Sequence, residues 1–128
     1  MTVFAHERLD VDRTAIELLI VADQVASGLP RGRASLADQL RRAALSIPLN
    51  VAEGAGEFAA ADKARCYRMA RRSGTECAAI MHACRTLALA EDKVTELARA
   101  LLDRIVARRT AMVLKLQEPG AGAGQGEM

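Results

Sequence analysis

The chain has 128 residues, about half of them apolar, a net charge of +2 and almost no aromatic side chains: Phe4, Phe58 and Tyr67, with no tryptophan. That length suits one domain with a real core and is too short for two. The longest apolar run, "AIELLIVA", is interrupted by Glu17 and falls far short of the ~20 residues that a membrane span needs.

Ala, Leu, Arg and Glu favour helices, while the β-branched and aromatic residues of strands are scarce. The first helix is predicted over residues 11–27, with Ala15, Ile16, Leu19, Ala22, Val25 and Ala26 on one side. Gly28-Leu29-Pro30 is expected to end it, glycine by a left-handed stop and proline by blocking resumption. The second is predicted over 35–54, with Ser35 as N-cap and Gly54 and Gly56 marking a turn. The third covers 60–89, where Tyr67, Ala70, Gly74, Cys77, Met81, Cys84 and Ala88 form a sustained seam. The fourth covers 92–117 with the stripe Val94, Leu97, Leu101, Ile105, Met112 and Leu116. Residues 1–118 then make one helical domain, and the glycine-rich tail 119–128 is expected to be disordered. Short connections between long amphipathic helices predict an all-α, antiparallel up-down-up-down four-helix bundle.

The second helix contains the unusual run "LRRAALSIPLNVAEGAG". On a helical wheel Leu36, Leu40, Ala44, Ile47 and Val51 form a core stripe, with Gln39, Ser46, Asn50 and Glu53 as a polar stripe beside it. Leu45, Leu49 and Ala52 form a second apolar face, which an isolated bundle does not need and which a second copy of the chain would cover. Pro48 removes a backbone donor and is expected to kink the helix, with Ser46 or Asn50 bonding the freed groups. Alternatively, Pro48 starts a new short helix capped by Ser46.

Residues 31–85 carry ten basic and five acidic groups, whereas residues 1–30 are net acidic. Lys63, Arg65, Arg68, Arg71 and Arg72 lie within ten residues, and Arg65, Arg68 and Arg72 point away from the Tyr67–Ala70–Gly74 seam. Arginines at that density suit phosphate contacts, with Arg41 and Arg42, and Arg31 and Arg33, as extensions; solvation of an outer helix face is the plainer alternative. Tyr67 falls on the seam, so aromatic stacking platforms are missing and any nucleic acid would be held by backbone and shape.

Cys66, Cys77 and Cys84 are spaced by eleven and seven, not the three or four of metal ligands on one helix, and read as small buried thiols. His6 and His82 have no Cys or second His within a turn and read as surface residues. No nucleophile–base pair, paired-carboxylate motif or phosphate loop is present, so neither catalysis, cofactor nor metal is expected. The charged start "MTVFAHERLD" is unlike a signal peptide, and three cysteines without a Cys-x-x-Cys pair fit a reduced, cytoplasmic protein.

The stretch "QLRRAALSIPLNVAEGAG", residues 39–56, resembles the signature of the four-helix bundle family of 23S rRNA intervening-sequence proteins, Val51 standing for the usual isoleucine. Ser46, Pro48, Asn50, Glu53 and Gly54 match that pattern, Leu29-Pro30 sits where the family closes its first helix, and "ARRSGTE" places Ser73 and Glu76 in register with a later element. The resemblance spans roughly residues 9–117. Arg72 stands where glycine is common, Lys63 and Cys66 replace aromatic residues, and Ala59 replaces a Ser/Thr cap. The resemblance implies a four-helix bundle that assembles as a homopentamer. Through a relative, the accessory protein of diversity-generating retroelements, it implies RNA or DNA and a reverse transcriptase as partners. A scaffolding oligomer without nucleic-acid binding is the competing expectation.

Overall fold

The computed structural model describes the backbone of residues 3–117 and the side chains of residues 10–107; the predicted tail, His6, Met112 and Leu116 lie outside what is described at side-chain level. Four helices account for nearly all of it: α1 (Val3–Gly28), α2 (Ala34–Gly56), α3 (Ala60–Thr86) and α4 (Asp92–Gln117). Each helix packs on its two neighbours, α1 on α2 and α4, α3 on α2 and α4, and the diagonal pairs do not touch among the described residues. The result is a square of helices around one core. Contacts between consecutive helices run in opposite order: Asp23 meets Arg41 and Leu19 lies across from Leu45, Ser46 meets Ser73 while Gly54 meets Tyr67, and Asp92 meets Arg85 while Leu102 lies over Gly74.

The core stripe of α1 is Val11, Ala15, Leu18, Ala22 and Val25, joined by Thr14 and Val21, all buried. Three expected core residues are exposed instead, Ala88 beyond the end of α3 and one each on α1 and α4. Ile16 is exposed on α1 and Leu97 is exposed on α4, because polar-looking neighbours take their places. Thr14 donates to the Asp10 carbonyl at 2.7 Å and Thr95 to the Asp92 carbonyl at 3.0 Å, so each hydroxyl is satisfied within its own helix and the side chain can be buried. A hydropathy stripe read from apolar residues alone is rotated off axis by such threonines.

Helix ends also differ from expectation. Gly28 does not take a left-handed conformation; no glycine among the described residues does. Leu29 N–H instead bonds back to Ala26 at 3.3 Å, and Pro30 adopts extended backbone that cannot continue the helix. Ser35 is not the N-cap of α2. A single 3₁₀ turn, Arg31–Arg33, runs straight into α2, and the Ala34 N–H bonds Arg31 O, doing what a cap side chain would have done. α2 continues past Gly54 to Gly56, passing through Pro48 as one helix, so no new helix begins at the proline.

α3 stops at Thr86, three residues early, in a Schellman turn: Leu89 N–H bonds Cys84 O at 2.8 Å and Ala88 N–H bonds Arg85 O at 3.0 Å. Ala88 takes the left-handed position at φ 56° that glycine usually fills, which hid the stop from sequence reading and costs roughly 1–2 kcal/mol. Half-buried Leu89 packs on the core beyond it, as is common after this turn.

The seam between α2 and α3 is the tightest contact. A Cβ built on Gly54 would lie 2.6 Å from Cε1 of the buried Tyr67 ring and 3.1 Å from Cys66 Cβ. Gly54→Ala should therefore destabilise the fold by about 1–2 kcal/mol, overpacking outweighing the gain in helix propensity. Gly74→Ala, whose Cβ would meet Leu102 at an ordinary 3.6 Å, should be neutral or stabilising. Urea unfolding of both variants measures the contrast.

Candidate nucleic-acid interface

α3 presents its arginines as the wheel predicts, because Tyr67, Ala70, Gly74 and Cys77 claim the opposite side for the core. Arg65, Arg68, Arg71 and Arg72 are all exposed. Arg68, Arg71 and Arg72, with Thr75, Glu76 and Ala79, line a shallow depression of about 520 Å³. Elsewhere arginines hold carboxylates: Arg41 pairs with Asp23, Arg85 with Asp92 and Glu96, and Arg104 with Asp10. Among the described residues no such pair is formed by Arg65, Arg68, Arg71 or Arg72; Arg65 only touches the Met69 sulfur, at 3.8 Å. Beside this depression, and sharing Ala79 with it, a groove of about 480 Å³ runs between α3 and α4 past His82, Arg85 and Arg99. Arg99 and His82 come from separate helices and were invisible as members of one surface in the linear sequence.

Two of the predicted basic residues are engaged elsewhere. Lys63 Nζ donates to the carbonyls of Gly54 and Ala55, at 3.3 and 3.4 Å, closing the C-terminal end of α2. Arg41 lies in the groove between α1 and α2, bound to Asp23 and to Ser27 Oγ, away from the α3 cluster. Arg42 is exposed and has no carboxylate partner among the described residues. Phe58, in the link from α2 to α3, is 94 % exposed. It is an aromatic ring in solvent, whereas Tyr67 is fully buried.

Two members of the polar stripe of α2, Ser46 and Asn50, are held in a hydrogen-bonded seam. Ser46 and Ser73 share a hydrogen bond of 2.8 Å across the α2–α3 seam, and Asn50 Nδ2 donates to Ser46 O at 2.8 Å and Ser46 Oγ at 3.0 Å. Pro48 is half-buried between them and Glu53 is exposed. Asn50 thus bonds the Ser46 carbonyl, one turn before itself, rather than the Ala44 carbonyl that Pro48 leaves without its helical donor. On the far side of α2, Leu45 and Leu49 are 46 % and 58 % exposed, and Ala52 is exposed as well. α1 extends this apolar face with Ile16 and Ile20, 47 % and 54 % exposed, and Ile20 and Leu45 line the same groove.

All three cysteines are buried and unpaired. Burial, and then the nearby Glu76 charge, push the Cys77 thiol up to about 12; burial also raises Cys84, and burial followed by the Glu53 carboxylate raises Cys66. Protonated and enclosed, Cys77 and Cys84 behave as small apolar side chains.

An all-helical bundle, with a hydrogen-bonded Ser-Pro-Asn seam in its second helix and an unpaired arginine face on its third, is the class that this structure defines. The sequence profile of the 23S rRNA-intervening sequence protein family matches residues 7–110, and the chain belongs to that family. No curated protein matches it. No helix among the described residues is long and apolar enough to cross a membrane.

The Cys77 thiol gives a pH dependence. A thiol raised from 9.0 to about 12 on folding contributes stability that is complete below pH 9 and is lost as pH climbs from 9 towards 12. The urea midpoint should fall over that interval, and the fall should be shallower in Cys77→Ala, which has no thiol to ionise there.

Proposed function

We propose that this protein is a non-enzymatic homo-oligomer that binds nucleic acid, RNA in the first place, by its phosphate backbone through the arginine face of α3. The observation that carries this reading is four exposed arginines within eight residues that hold no carboxylate among the described residues, in a protein that pairs other arginines. Unpaired guanidiniums repel one another and gain from a multivalent anion. The family's name links it to ribosomal RNA, which favours RNA over other polyanions. The ligand is held by charge and shape, with no base sequence read.

Oligomerisation is the second half of the reading. Leu45, Leu49 and Ala52 with Ile16 and Ile20 form an aliphatic face that a lone bundle leaves in water, and a second copy of the chain is the occupant that the family resemblance favours, in a pentameric ring. Repetition around a ring multiplies the arginine field. The same apolar face supports the competing reading, a scaffolding oligomer whose arginines serve only solubility.

Binding to a structured RNA and a duplex DNA across a salt series tests the first half. Four phosphate contacts per chain predict about 10²-fold weaker binding over a fourfold rise in salt. Arg68→Glu with Arg72→Glu should remove binding at unchanged helicity; retained binding would locate the site elsewhere, and no binding by the parent protein would leave the scaffold reading. For the second half, Leu45→Asp with Leu49→Asp should give a folded but smaller assembly by light scattering, and an unchanged mass would overturn the interface.

A further inference from the structure

The link between α2 and α3 gathers three donor atoms that the sequence keeps apart. Glu53 and Glu57 stand one turn apart at the end of α2, and Cys66 belongs to the second turn of α3. One carboxylate oxygen from each glutamate and the Cys66 Sγ all lie within 4.8 Å of one another. The close approach over Gly54 creates this meeting, since only a residue without a side chain lets Cys66 come so near to α2.

Two independent features give the cluster direction. Cys66 is fully buried and its thiol makes no hydrogen bond among the described residues, although it is held beside two carboxylates. The two glutamates have no ion-pair partner among the described residues either: Lys63, the nearest lysine in sequence, donates its ammonium to the Gly54 and Ala55 carbonyls. A buried, unpartnered sulfur therefore faces two carboxylates that form no ion pair among the described residues. We propose that Glu53, Glu57 and Cys66 form a three-ligand site for a divalent transition metal of the zinc class, with the remaining position open to water.

The donor set selects the ion. Calcium and magnesium take oxygen ligands and gain nothing from sulfur, whereas zinc and cobalt accept a thiolate together with carboxylates. Metal–ligand bonds of about 2.0–2.3 Å place neighbouring donors of a tetrahedral site roughly 3.3–3.8 Å apart. Exposed Glu53 and half-buried Glu57 need move only about 1 Å to reach that spacing. On binding, the Cys66 S–H bond is exchanged for a sulfur–metal bond and the proton leaves to solvent. The ion would tie α2 to α3 across their connection. This site is independent of the arginine face and stands or falls separately from the nucleic-acid reading.

Titration of the reduced, untagged, chelator-treated protein with Co²⁺ tests it. The expected result is one Co²⁺ per chain, with the visible bands of a tetrahedral ion and a near-ultraviolet thiolate-to-cobalt charge-transfer band, both displaced by Zn²⁺ but not by Mg²⁺. Cys66→Ser should abolish the charge-transfer band, while Cys77→Ser and Cys84→Ser keep it. Because Cys66 is buried, a second variant guards against misfolding: Glu53→Gln with Glu57→Gln changes two side chains at the surface and should weaken Co²⁺ binding at least tenfold. Saturating Zn²⁺ should raise the Tm of the parent protein by roughly 5–10 °C and leave that variant's almost unmoved. No charge-transfer band at stoichiometric cobalt, or one that survives Cys66→Ser, would overturn the proposal.

Discussion

The approach of α2 to α3 over Gly54 is the constraint from which the rest of the molecule follows. With no Cβ at that position, the Tyr67 ring packs directly against the backbone of α2 and becomes the largest fully buried side chain of the core. The short distance brings Ser46 within 2.8 Å of Ser73 and lets Lys63 reach over to the last carbonyls of α2. These three contacts fix the rotation of α3 about its own axis. Once Tyr67, Ala70 and Gly74 face inward, Arg65, Arg68 and Arg72 have no choice but solvent. The outer chemistry of α3 is thus set by a contact on its inner side.

A core so poor in aromatic residues has to gain its stability from close packing of small side chains. Alanines at 15, 22, 26, 37, 43, 44, 64, 70 and 98 are buried, and each lets two helix backbones come nearer than leucines would. Close packing leaves little room inside for polar groups, and the buried Thr14, Thr95 and Asn50 each bond within their own helix. The outer faces carry the variation. One is aliphatic, between α1 and α2, and another is cationic on α3. Surface ion pairs such as Arg41–Asp23 contribute only about 0–1 kcal/mol each, so leaving four arginines unpaired costs the fold little.

Much of this was legible in the sequence, for identifiable reasons. The α3 seam was read correctly from Tyr67 to Cys84 because small and apolar residues recur there without competitors. The α2 wheel separated Leu40, Ile47 and Val51 from Leu45 and Leu49, and the structure places them on opposite sides, one buried and one exposed. Errors arose where local chemistry substitutes for the usual signal. Threonines bonded to their own helix stood in for apolar residues beside Ile16 and Leu97, an alanine held the left-handed position at 88, and a 3₁₀ turn replaced the cap at Ser35. The site was less legible than the fold. Density along one helix revealed the arginines of α3, but nothing in the spacing showed that Arg41 turns to α1 or that Lys63 closes α2. Cys66 meeting Glu53 and Glu57 is a property of two helices packed together, which no single-helix pattern encodes.

The chain has a single tyrosine and no tryptophan, and that tyrosine sits against Gly54 with none of its surface in water. Its intrinsic ultraviolet emission therefore originates almost wholly from one point, the junction of α2 with α3. Tyrosine emission from the folded protein therefore reports on that junction. A change in lifetime or anisotropy signals loosening of this one seam before the rest of the bundle has parted, so the molecule carries a built-in optical gauge of its tightest contact.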